Sequence, residues 1–350
     1  SYLDPILKLL PEIKRDSGIQ FFLLSWCQII IQAPFNLTND SEIWQLTNSY
    51  KKNQMLSPVV ADIHSILYQK NYTLFCQHVD EIDLLTLNKF LKTQLVESTS
   101  NILKDTTSLN KITQLCLHPN EELYERSQLI TLKILPKLFL LHSWKENWDI
   151  LSDIMEWYDL HIYSSYTEVR FILAHSYAKI LNRMINDLNG ETQAIQCIEE
   201  LINNLLHMIN NTPMDIIDRN TFHTHLLLVA ECSKIIVKYL PHWLIVITNE
   251  ILPLAYKFQQ LHMGNAIKGS QIKDAANFII WSWSRCPRLP NTVVCDLIKF
   301  LLVTTLFDRD FLIRKSSNAA LQELLGRHGK SVLGNMTTMN IIQLPIHNIH

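Results

Sequence analysis

Glycine is scarce in this chain, with 7 glycines among 350 residues. That share is about 2%, against a typical value of about 7%. Phosphate-binding loops, Rossmann turns and tight hairpins all use glycine, because it adopts backbone conformations that other residues avoid. The scarcity therefore argues against nucleotide-binding α/β folds and favours an all-α protein.

The chain also lacks an excess of either charge and any long basic or apolar run. Its 31 lysines and arginines nearly balance its 33 acidic residues, for a formal net charge of −2. No basic cluster suggests a surface that follows nucleic-acid phosphates, so we expect no nucleic-acid partner. The longest apolar stretch, from Phe21 to Ile31, is too short to span a bilayer and is interrupted by Gln28. A helix start at Asp4, close to the first residue, leads us to expect a piece of a longer protein.

A disulfide framework is missing as well. The seven cysteines are odd in number and include no Cys-x-x-Cys pair, and several have apolar neighbours. Such cysteines are typical of reduced, mostly buried thiols. We therefore expect a cytosolic compartment.

What the chain does contain is one helix template that occurs three times. Each copy begins with an apolar residue followed by a base, at Val169, Ile272 and Ile313, and has small or apolar residues at offsets 4, 7 and 11. These offsets return to one face of a helix, so we predict a face buried between neighbouring helices. The base at offset 1 should point to solvent or to a turn carboxylate. The template residues are Val169, Leu173, Ser176 and Ile180; Ile272, Ala276, Ile279 and Trp283; Ile313, Ser317, Ala320 and Leu324.

The spacing of the copies predicts the architecture. Ile272 and Ile313 are 41 residues apart, within the range of about 40–47 residues of HEAT and armadillo units. Val169 lies 103 residues before Ile272, which leaves room for a degraded copy over Thr221 to Tyr239. We therefore expect an all-α, HEAT/armadillo-like α-solenoid of stacked antiparallel helix pairs. It should form a single segment over residues 1–350 with about seven repeats.

Capping residues, prolines and glycines predict the helix boundaries. Pro136 should kink or split its helix, the polar stretch from Ser98 to Ser108 should be a mobile loop, and Gly326 should end the last helix as a left-handed cap. A turn from Gly264 to Gly269 should lead into a helix capped by Ser270. Helices are expected over 4–13, 19–33, 57–68, 81–98, 108–117, 122–141, 144–158, 167–188, 191–208, 221–239, 243–260, 270–284, 291–306 and 311–325.

No motif predicts catalysis, a cofactor or a metal. The stretch from Gly264 to Ser270 resembles a phosphate loop only superficially, because Lys268 precedes the second glycine instead of following it. Pairs two residues apart lie on different faces of a helix, so they do not form a metal site together; these pairs are His223 and His225, Cys76 and His78, and Cys116 and His118. No Gly-x-Ser-x-Gly elbow is present. We predict that Trp283 packs in the core, whereas Trp281 is open to either core packing or binding.

The turn before the last template helix is the candidate for partner contact. In the sequence Asp308-Arg309-Asp310, one acid should cap the helix, and Arg309 should pair with a neighbouring repeat or with a partner. The structural and the partner-contact interpretations are equally open. The partner-binding residues that we single out are Asp308, Arg309, Asp310, Arg327 and His328.

Three segments resemble one known family. Gly269 to Arg285, Leu306 to Gly329 and Phe22 to Leu37 are similar, in order and approximate spacing, to stretches of the tubulin-folding cofactor D family. The resemblance is strong at both ends and weak between about 85 and 160. The chain departs from the family pattern at Phe171 to Ala174 and at Phe222 to His225, as a divergent member would.

The resemblance implies a HEAT-repeat protein that is not an enzyme and holds no cofactor. Proteins of that family hold β-tubulin after the chaperonin step. They assemble or disassemble αβ-tubulin with tubulin-folding cofactors E and C and an Arf-like small GTPase, and they promote GTP hydrolysis by tubulin. A cytoplasmic, cytoskeleton-associated location would follow. A generic HEAT scaffold, such as a transport receptor or a phosphatase scaffold, fits the template equally well but not the three segments. An α-helical enzyme with a dispersed site is the third hypothesis.

Overall fold

The computed structural model describes residues 3–13, 16–34, 39–95, 101–118, 125–143, 147–187, 190–258, 260–262, 265–267 and 269–333. Apart from two strands of three residues each, every regular element there is helical, which confirms the predicted all-α class. The chain divides into two compact units, Ser1–Trp157 and Tyr158–His350, called unit 1 and unit 2 below. The predicted single array of about seven repeats stays a prediction.

Unit 1 is a row of packed helices in which α2 packs on α4, α4 on α6, and α6 on α9. A 3₁₀ turn, Val79–Glu81, separates α5 from α6, and the tenth helix continues into unit 2. The helices are α1 Asp4–Leu9, α2 Ser17–Gln32, α3 Asp40–Asn48, α4 Ser57–Lys70, α5 Tyr72–His78, α6 Leu84–Gln94, α7 Asn101–Lys104, α8 Thr106–Leu117, α9 Glu125–Ser143 and α10 Trp148–Leu160.

Aspartates begin three helices of unit 1. The Asp16 carboxylate accepts hydrogen bonds from the backbone N–H groups of Gly18 and Ile19 at 2.9 and 3.1 Å, which begins α2 at Ser17. Asp83 and Asp105 cap α6 and α8 in the same way. The first N–H groups of a helix have no partner within the helix, so each carboxylate stabilises the point where its helix starts.

Two buried threonine–histidine pairs join helices of unit 1. The Thr47 hydroxyl lies 2.9 Å from His64 Nε2, linking α3 to α4, and the Thr113 hydroxyl lies 2.8 Å from His142 Nε2, linking α8 to α9. Burial lowers the pKa of each histidine to about 4, because the charged form would lose its hydration. Both imidazoles are therefore neutral in the folded unit at neutral pH.

Several predicted boundaries in unit 1 are wrong. The opening helix ends at Leu9, not at Ile13, because Asp16 caps a new helix. Pro136 does not split α9, which runs unbroken from Glu125 to Ser143. The predicted loop from Ser98 to Ser108 contains α7 and the start of α8, although its residues 98–100 lie outside the described part.

In unit 2, four helices that we call inner helices pack in sequence: α11 on α13, α13 on α17, and α17 on α19. A π-helical turn, Ile247–Ile251, joins α15 to α16, and the strands β1 and β2 pair antiparallel. The elements are α11 Thr167–Asp187, α12 Glu191–Asn211, α13 Arg219–Glu231, α14 Ser233–Tyr239, α15 Pro241–Val246, α16 Leu252–Lys257, β1 Gln260–His262, β2 Asn265–Ile267, α17 Ser270–Ser284, α18 Asn291–Phe307 and α19 Phe311–Leu333.

The helix template is confirmed. All twelve residues at offsets 0, 4, 7 and 11 of α11, α17 and α19 are at most 3% exposed. Five of them are alanine, serine or valine, and such small side chains let neighbouring inner helices approach closely. Trp283 is fully buried, as predicted. The template therefore marks the packing face of the inner helices.

In unit 2, several predictions about glycines and helix ends are wrong. Ser270 is not the cap of α17; Gly269 precedes the helix at φ 53°, where an added Cβ would lie 2.5 Å from the Phe258 carbonyl oxygen. The predicted turn from Gly264 to Gly269 contains β2, which pairs with the preceding β1, although its residues 264 and 268 lie outside the described part. Gly326 does not end α19, which continues to Leu333. The predicted helix from Thr221 to Tyr239 is interrupted at Cys232, between α13 and α14.

Two further properties concern the whole described chain. The seven cysteines are free thiols, four of them buried, as predicted. In the part of the chain that the structure covers, no single helix is long and apolar enough to cross a membrane. The helices Ser233–Tyr239 and Pro241–Lys257, bent by 115° relative to each other, reach that length and hydropathy only when counted together.

Candidate protein-binding site

The basic residue of the template folds back over the start of its own helix. In α11, Arg170 Nη1 donates to the carbonyl oxygens of Ser164 and Ser165 at 2.8 and 3.0 Å. In α19, Arg314 Nη1 donates to the equivalent carbonyl of Asp308 at 2.7 Å and to the next one at 3.3 Å. The two arginines therefore hold the loops that lead into their helices.

Arg170 does not point to solvent or to a carboxylate, so the prediction is wrong at this position. Its side chain is 1% exposed, and its remaining N–H groups bind His223 Nδ1 and the Thr167 hydroxyl at 3.0 Å each. Burial, together with the positive charge of Arg170, lowers the pKa of His223 to about 3. A planar guanidinium with five donors can satisfy several backbone carbonyls, which makes this burial possible.

Two of the predicted partner-binding residues join α17 to α19. The Asp308 carboxylate pairs with Lys273 Nζ at 2.7 Å, so the template base does meet a turn carboxylate in this copy. Asp310 accepts a hydrogen bond from the Ser270 hydroxyl at 2.7 Å and caps α19 by accepting from the Leu312 N–H at 2.9 Å. The prediction that one acid caps this helix is confirmed.

The other three predicted residues differ in their accessibility. Arg309 is exposed, and its side chain forms no ion pair with the described residues. Arg327 is half-exposed and pairs with Glu323 at 2.6 Å. His328 Nε2 donates to the Ser284 carbonyl at 2.9 Å, at the end of α17. Of the five candidates, Arg309 and Arg327 thus offer accessible positive charge.

A groove crosses the inner helices of unit 2 on the side where Arg327 lies. Its volume is about 570 Å³, and α11, α13, α14, α17 and α19 all contribute to it. We call it the cationic groove. It is lined by His175, Ala178, Lys179, Asn182, Ala230, Glu231, Ser233, Lys234, Phe278, Trp281, Ser282, Arg285 and Arg327.

Positive charge dominates this groove. The lining contains four cationic side chains, from Lys179, Lys234, Arg285 and Arg327, and a single carboxylate. That carboxylate, of Glu231, lies 3.2 Å from the Nδ1 of a histidine in the same lining. The groove therefore differs in charge from the chain as a whole, whose formal net charge is −2.

One wall of the cationic groove is aromatic. The rings of Phe278 and Trp281 stack with centroids 5.9 Å apart, and the Arg285 guanidinium lies 4.6 Å from the Trp281 centroid. A cation over an indole face is attracted by the ring quadrupole, so the arginine is positioned on the wall. The sequence left open whether Trp281 packs in the core or takes part in binding. In the structure it lies at an accessible surface and not in the core.

The groove follows a second pattern within the same template. Offsets 6, 9, 10 and 13 line it in both α11 and α17, while offsets 0, 4, 7 and 11 are buried. Most residues at these offsets are polar, so a search for apolar spacing does not find this face. The residues at these offsets are His175, Ala178, Lys179 and Asn182 in α11, and Phe278, Trp281, Ser282 and Arg285 in α17.

Unit 1 has an exposed surface that is apolar, whereas the groove of unit 2 is cationic. On α2, Ile19, Phe22, Trp26 and Ile29 lie three or four residues apart and are 47–65% exposed. Phe22 and Trp26 pack edge to face, with ring centroids 5.6 Å apart. We call these four residues the α2 stripe. Their spacing places them on one helix face, opposite the buried Leu24.

The candidate metal pairs lie in separate environments. His223 binds Arg170, whereas His225 Nδ1 lies 2.8 Å from the Thr221 carbonyl oxygen of its own helix. His78 stacks on Trp44, with ring centroids 3.6 Å apart. Across the residues that the structure describes, no three His, Cys, Asp or Glu side chains come close enough to hold a metal ion.

Comparisons with known proteins indicate a single protein family. A family model described as "Tubulin-specific chaperone D-like, ARM repeats" matches residues 143–334, which is more than half of the chain. This stretch contains the three copies of the template and every residue of the cationic groove. No solved structure matches the chain.

Two curated relatives are similar to parts of the chain. Tubulin-folding cofactor D of Schizosaccharomyces pombe is 29% identical over 187 residues, which are 50% of this chain and 16% of that protein. Tubulin-specific chaperone D of Dictyostelium discoideum is 30% identical over 82 residues, which are 22% of this chain and 6% of that protein. The matched region therefore spans less than a fifth of either relative.

Proposed function

Because the chain belongs to the family of tubulin-specific chaperone D-like ARM-repeat proteins, we propose that it is a tubulin-binding segment of a tubulin-folding cofactor. It holds β-tubulin after the chaperonin step and helps to assemble or disassemble the αβ heterodimer. The observation that carries this proposal is the family match over residues 143–334, supported by relatives that are both named for tubulin.

The segment acts by binding and not by catalysis. In this proposal tubulin-folding cofactors E and C and an Arf-like small GTPase complete the assembly. GTP hydrolysis takes place in the nucleotide site of tubulin, which the cofactor stimulates as a GTPase-activating partner. The protein accordingly works in the cytoplasm, next to the cytoskeleton.

Two surfaces support a holding function. The α2 stripe offers exposed apolar side chains to apolar surface on a partner, as a chaperone does when it prevents aggregation. The cationic groove offers charge, which increases the association rate and the specificity of protein contacts. Among the residues singled out from the sequence, Arg327 contacts tubulin from the groove and Arg309 from the exposed turn. Asp308, Asp310 and His328 hold these two in place.

Co-elution of the purified chain with αβ-tubulin on size-exclusion chromatography tests the proposal. We expect a complex whose amount falls at least several-fold when Phe22→Asp and Trp26→Asp interrupt the α2 stripe. Lys133→Glu is the control, because Lys133 is exposed in the middle of α9 and belongs neither to the stripe nor to the lining of the groove. Tubulin that elutes alone, both with this chain and with a longer protein that contains it, would overturn the proposal. Recovery of import cargo or a phosphatase subunit instead would favour a generic HEAT scaffold.

A further inference from the structure

The positive charge of the cationic groove is not balanced by its own residues. Lys179 and Lys234 are exposed and form no ion pair with other described residues. Arg285 and Arg327 approach the same carboxylate, that of Glu323, at 3.8 and 2.6 Å. One carboxylate cannot compensate two guanidinium groups, so the groove attracts additional negative charge.

Each of the four cations comes from a different helix or helix end. Lys179 lies on α11 and Lys234 on α14, Arg285 directly follows α17, and Arg327 lies on α19. Packed helices are about 8–10 Å apart, and a peptide in the polyproline II conformation advances about 3.1 Å per residue with three residues per turn. When a chain in this extended conformation crosses the groove, every third side chain faces the helices, at a spacing of about 9 Å.

The floor of the groove admits a peptide backbone. Ala178, Ala230 and Ser233 have small side chains, and all three are almost fully buried. Because no large side chain projects from the floor, a ligand backbone can lie close to the helices. The aromatic wall of Phe278 and Trp281 then faces the ligand with apolar surface, against which one apolar side chain can pack.

We propose that the cationic groove binds an extended acidic segment of the protein partner, with a carboxylate at about every third residue. The carboxylates pair with Lys179, Lys234, Arg285 and Arg327, and the aromatic wall holds an apolar side chain between them. This inference rests on the proposed function, since it assigns the segment to tubulin. It adds the chemistry by which the partner is recognised and the site where this occurs.

Peptide binding measured by fluorescence anisotropy tests the inference directly. The probe is a labelled peptide of about ten residues in which the unit Glu-Gly-Ser repeats, with one leucine near its centre. The matched probe has glutamine in place of each glutamate. We expect the acidic peptide to bind and the glutamine peptide to bind at least about tenfold more weakly. Binding should weaken as salt rises past about 0.1 M, because these exposed charges are screened.

Charge reversal in the groove identifies the site. Lys179→Glu and Lys234→Glu should each lower the affinity for the acidic peptide by about tenfold. Both side chains are exposed, so these changes leave folding intact, which circular dichroism verifies. Lys133→Glu carries the same change of charge on α9 and should bind the peptide within twofold of the parent chain.

The outcomes separate this inference from the proposed function. Equal binding of both peptides, or equal affinity of the groove variants and the control, overturns the inference even if the chain captures tubulin. An oligothymidylate that binds while the acidic peptide does not would also overturn it, in favour of a nucleic-acid site. Peptide binding that depends on Lys179 and Lys234, in a chain that fails to capture tubulin, keeps the groove assignment and overturns the proposed function.

Discussion

Unit 1 and unit 2 expose different chemistry on helices of the same kind. The α2 stripe of unit 1 is a row of apolar side chains, whereas the cationic groove of unit 2 combines positive charge with an aromatic wall. The stripe lies on one helix, so it exists as soon as that helix forms. The groove needs five helices in place, so it exists only in the folded unit. A single helix can provide an apolar contact, but a charged groove is a property of the stack.

The polar contacts inside the two units differ as well. In unit 1 a neutral histidine meets a threonine within one helix pair, as His142 meets Thr113. In unit 2 charged groups join successive inner helices at their starts, through Arg170, Lys273 and Asp308. The neutral histidines of unit 1 become protonated in acid, and so does His223, the acceptor of Arg170 in unit 2, whereas the Arg170 guanidinium itself does not titrate in the accessible range. The packing of the inner helices of unit 2 should therefore depend mainly on a permanent positive charge, and that of the helix pairs of unit 1 on a neutral histidine.

The largest expected effect comes from removing the buried arginine of unit 2. Arg170→Met should lower the free energy of unfolding of unit 2 by about 3 kcal/mol, because the buried His223 and two carbonyl oxygens of the preceding loop lose their donor. Hydrogen exchange followed by mass spectrometry, resolved by segment, measures the loss of protection in α11 and α13.

Arg314→Met is the matched comparison for that change. Arg314 makes the equivalent carbonyl contacts in α19 but is only partly buried, so about 1 kcal/mol should be lost. Equal losses at the two positions would show that the burial of Arg170 adds nothing to its contribution. Protection lost equally throughout unit 1 would contradict the contrast between the units.

An intermediate effect is expected in unit 1 when the pH is lowered. The pKa of His142 is about 4 in the folded unit and about 6.5 when unfolded. The unfolded chain therefore gains a proton first, and stability falls as the pH drops from about 6.5 towards 4. At pH 5 this histidine should cost about 2 kcal/mol relative to pH 7.5.

His142→Gln removes that titration while keeping an amide that can bind Thr113. Urea unfolding at the two pH values should show the variant less stable than the parent at pH 7.5, by about 1 kcal/mol. At pH 5 it should equal or exceed the parent. His64 and His223 titrate in the same direction and remain in both proteins, so they cancel. The same pH slope in both proteins would show that His142 is not buried as a neutral group.

The smallest effect concerns a glycine in α19. Gly326→Ala should stabilise unit 2 by about 0.5–1 kcal/mol, because alanine loses less backbone entropy in a helix and no atom beyond the adjacent backbone of α19 lies within 4 Å of the added Cβ. Gly269→Ala, at φ 53°, should instead destabilise the unit. Thermal unfolding measures both changes. A decrease for Gly326→Ala would mean that α19 ends where the sequence suggested, at that glycine.

Sequence reasoning succeeded where the signal was periodic along one helix. The buried face of α17, including Ala276 and Trp283, follows directly from a spacing of three or four residues. It failed where a contact forms between distant residues. The two carbonyl acceptors of Arg170 are close in sequence and recur for Arg314, but the third acceptor, His223, lies 53 residues away, and no local spacing encodes that contact.

The candidate site illustrates the same limit. Its cations, Lys179, Lys234, Arg285 and Arg327, are 55, 51 and 42 residues apart, so they form no basic run in the sequence. Their convergence depends on the order in which helices stack. Of these four cations, only Arg327 is among the partner-binding residues that we predicted from the sequence. A scan of offsets 6, 9, 10 and 13 in the template would have found most of the α11 and α17 lining.

The position of Arg170 at the start of α11 has one more consequence. The Gln271 side chain of α17 meets both Arg170 and Thr167 of α11, at 3.4 Å in each case. Stacked repeats ordinarily contact only their immediate neighbours and can therefore unfold one repeat at a time. Here α11 and α17, which are separated by α13 in the packing order, are joined directly by Gln271. We therefore expect α11, α13 and α17 to unfold together under mechanical load, after α19 has unfolded.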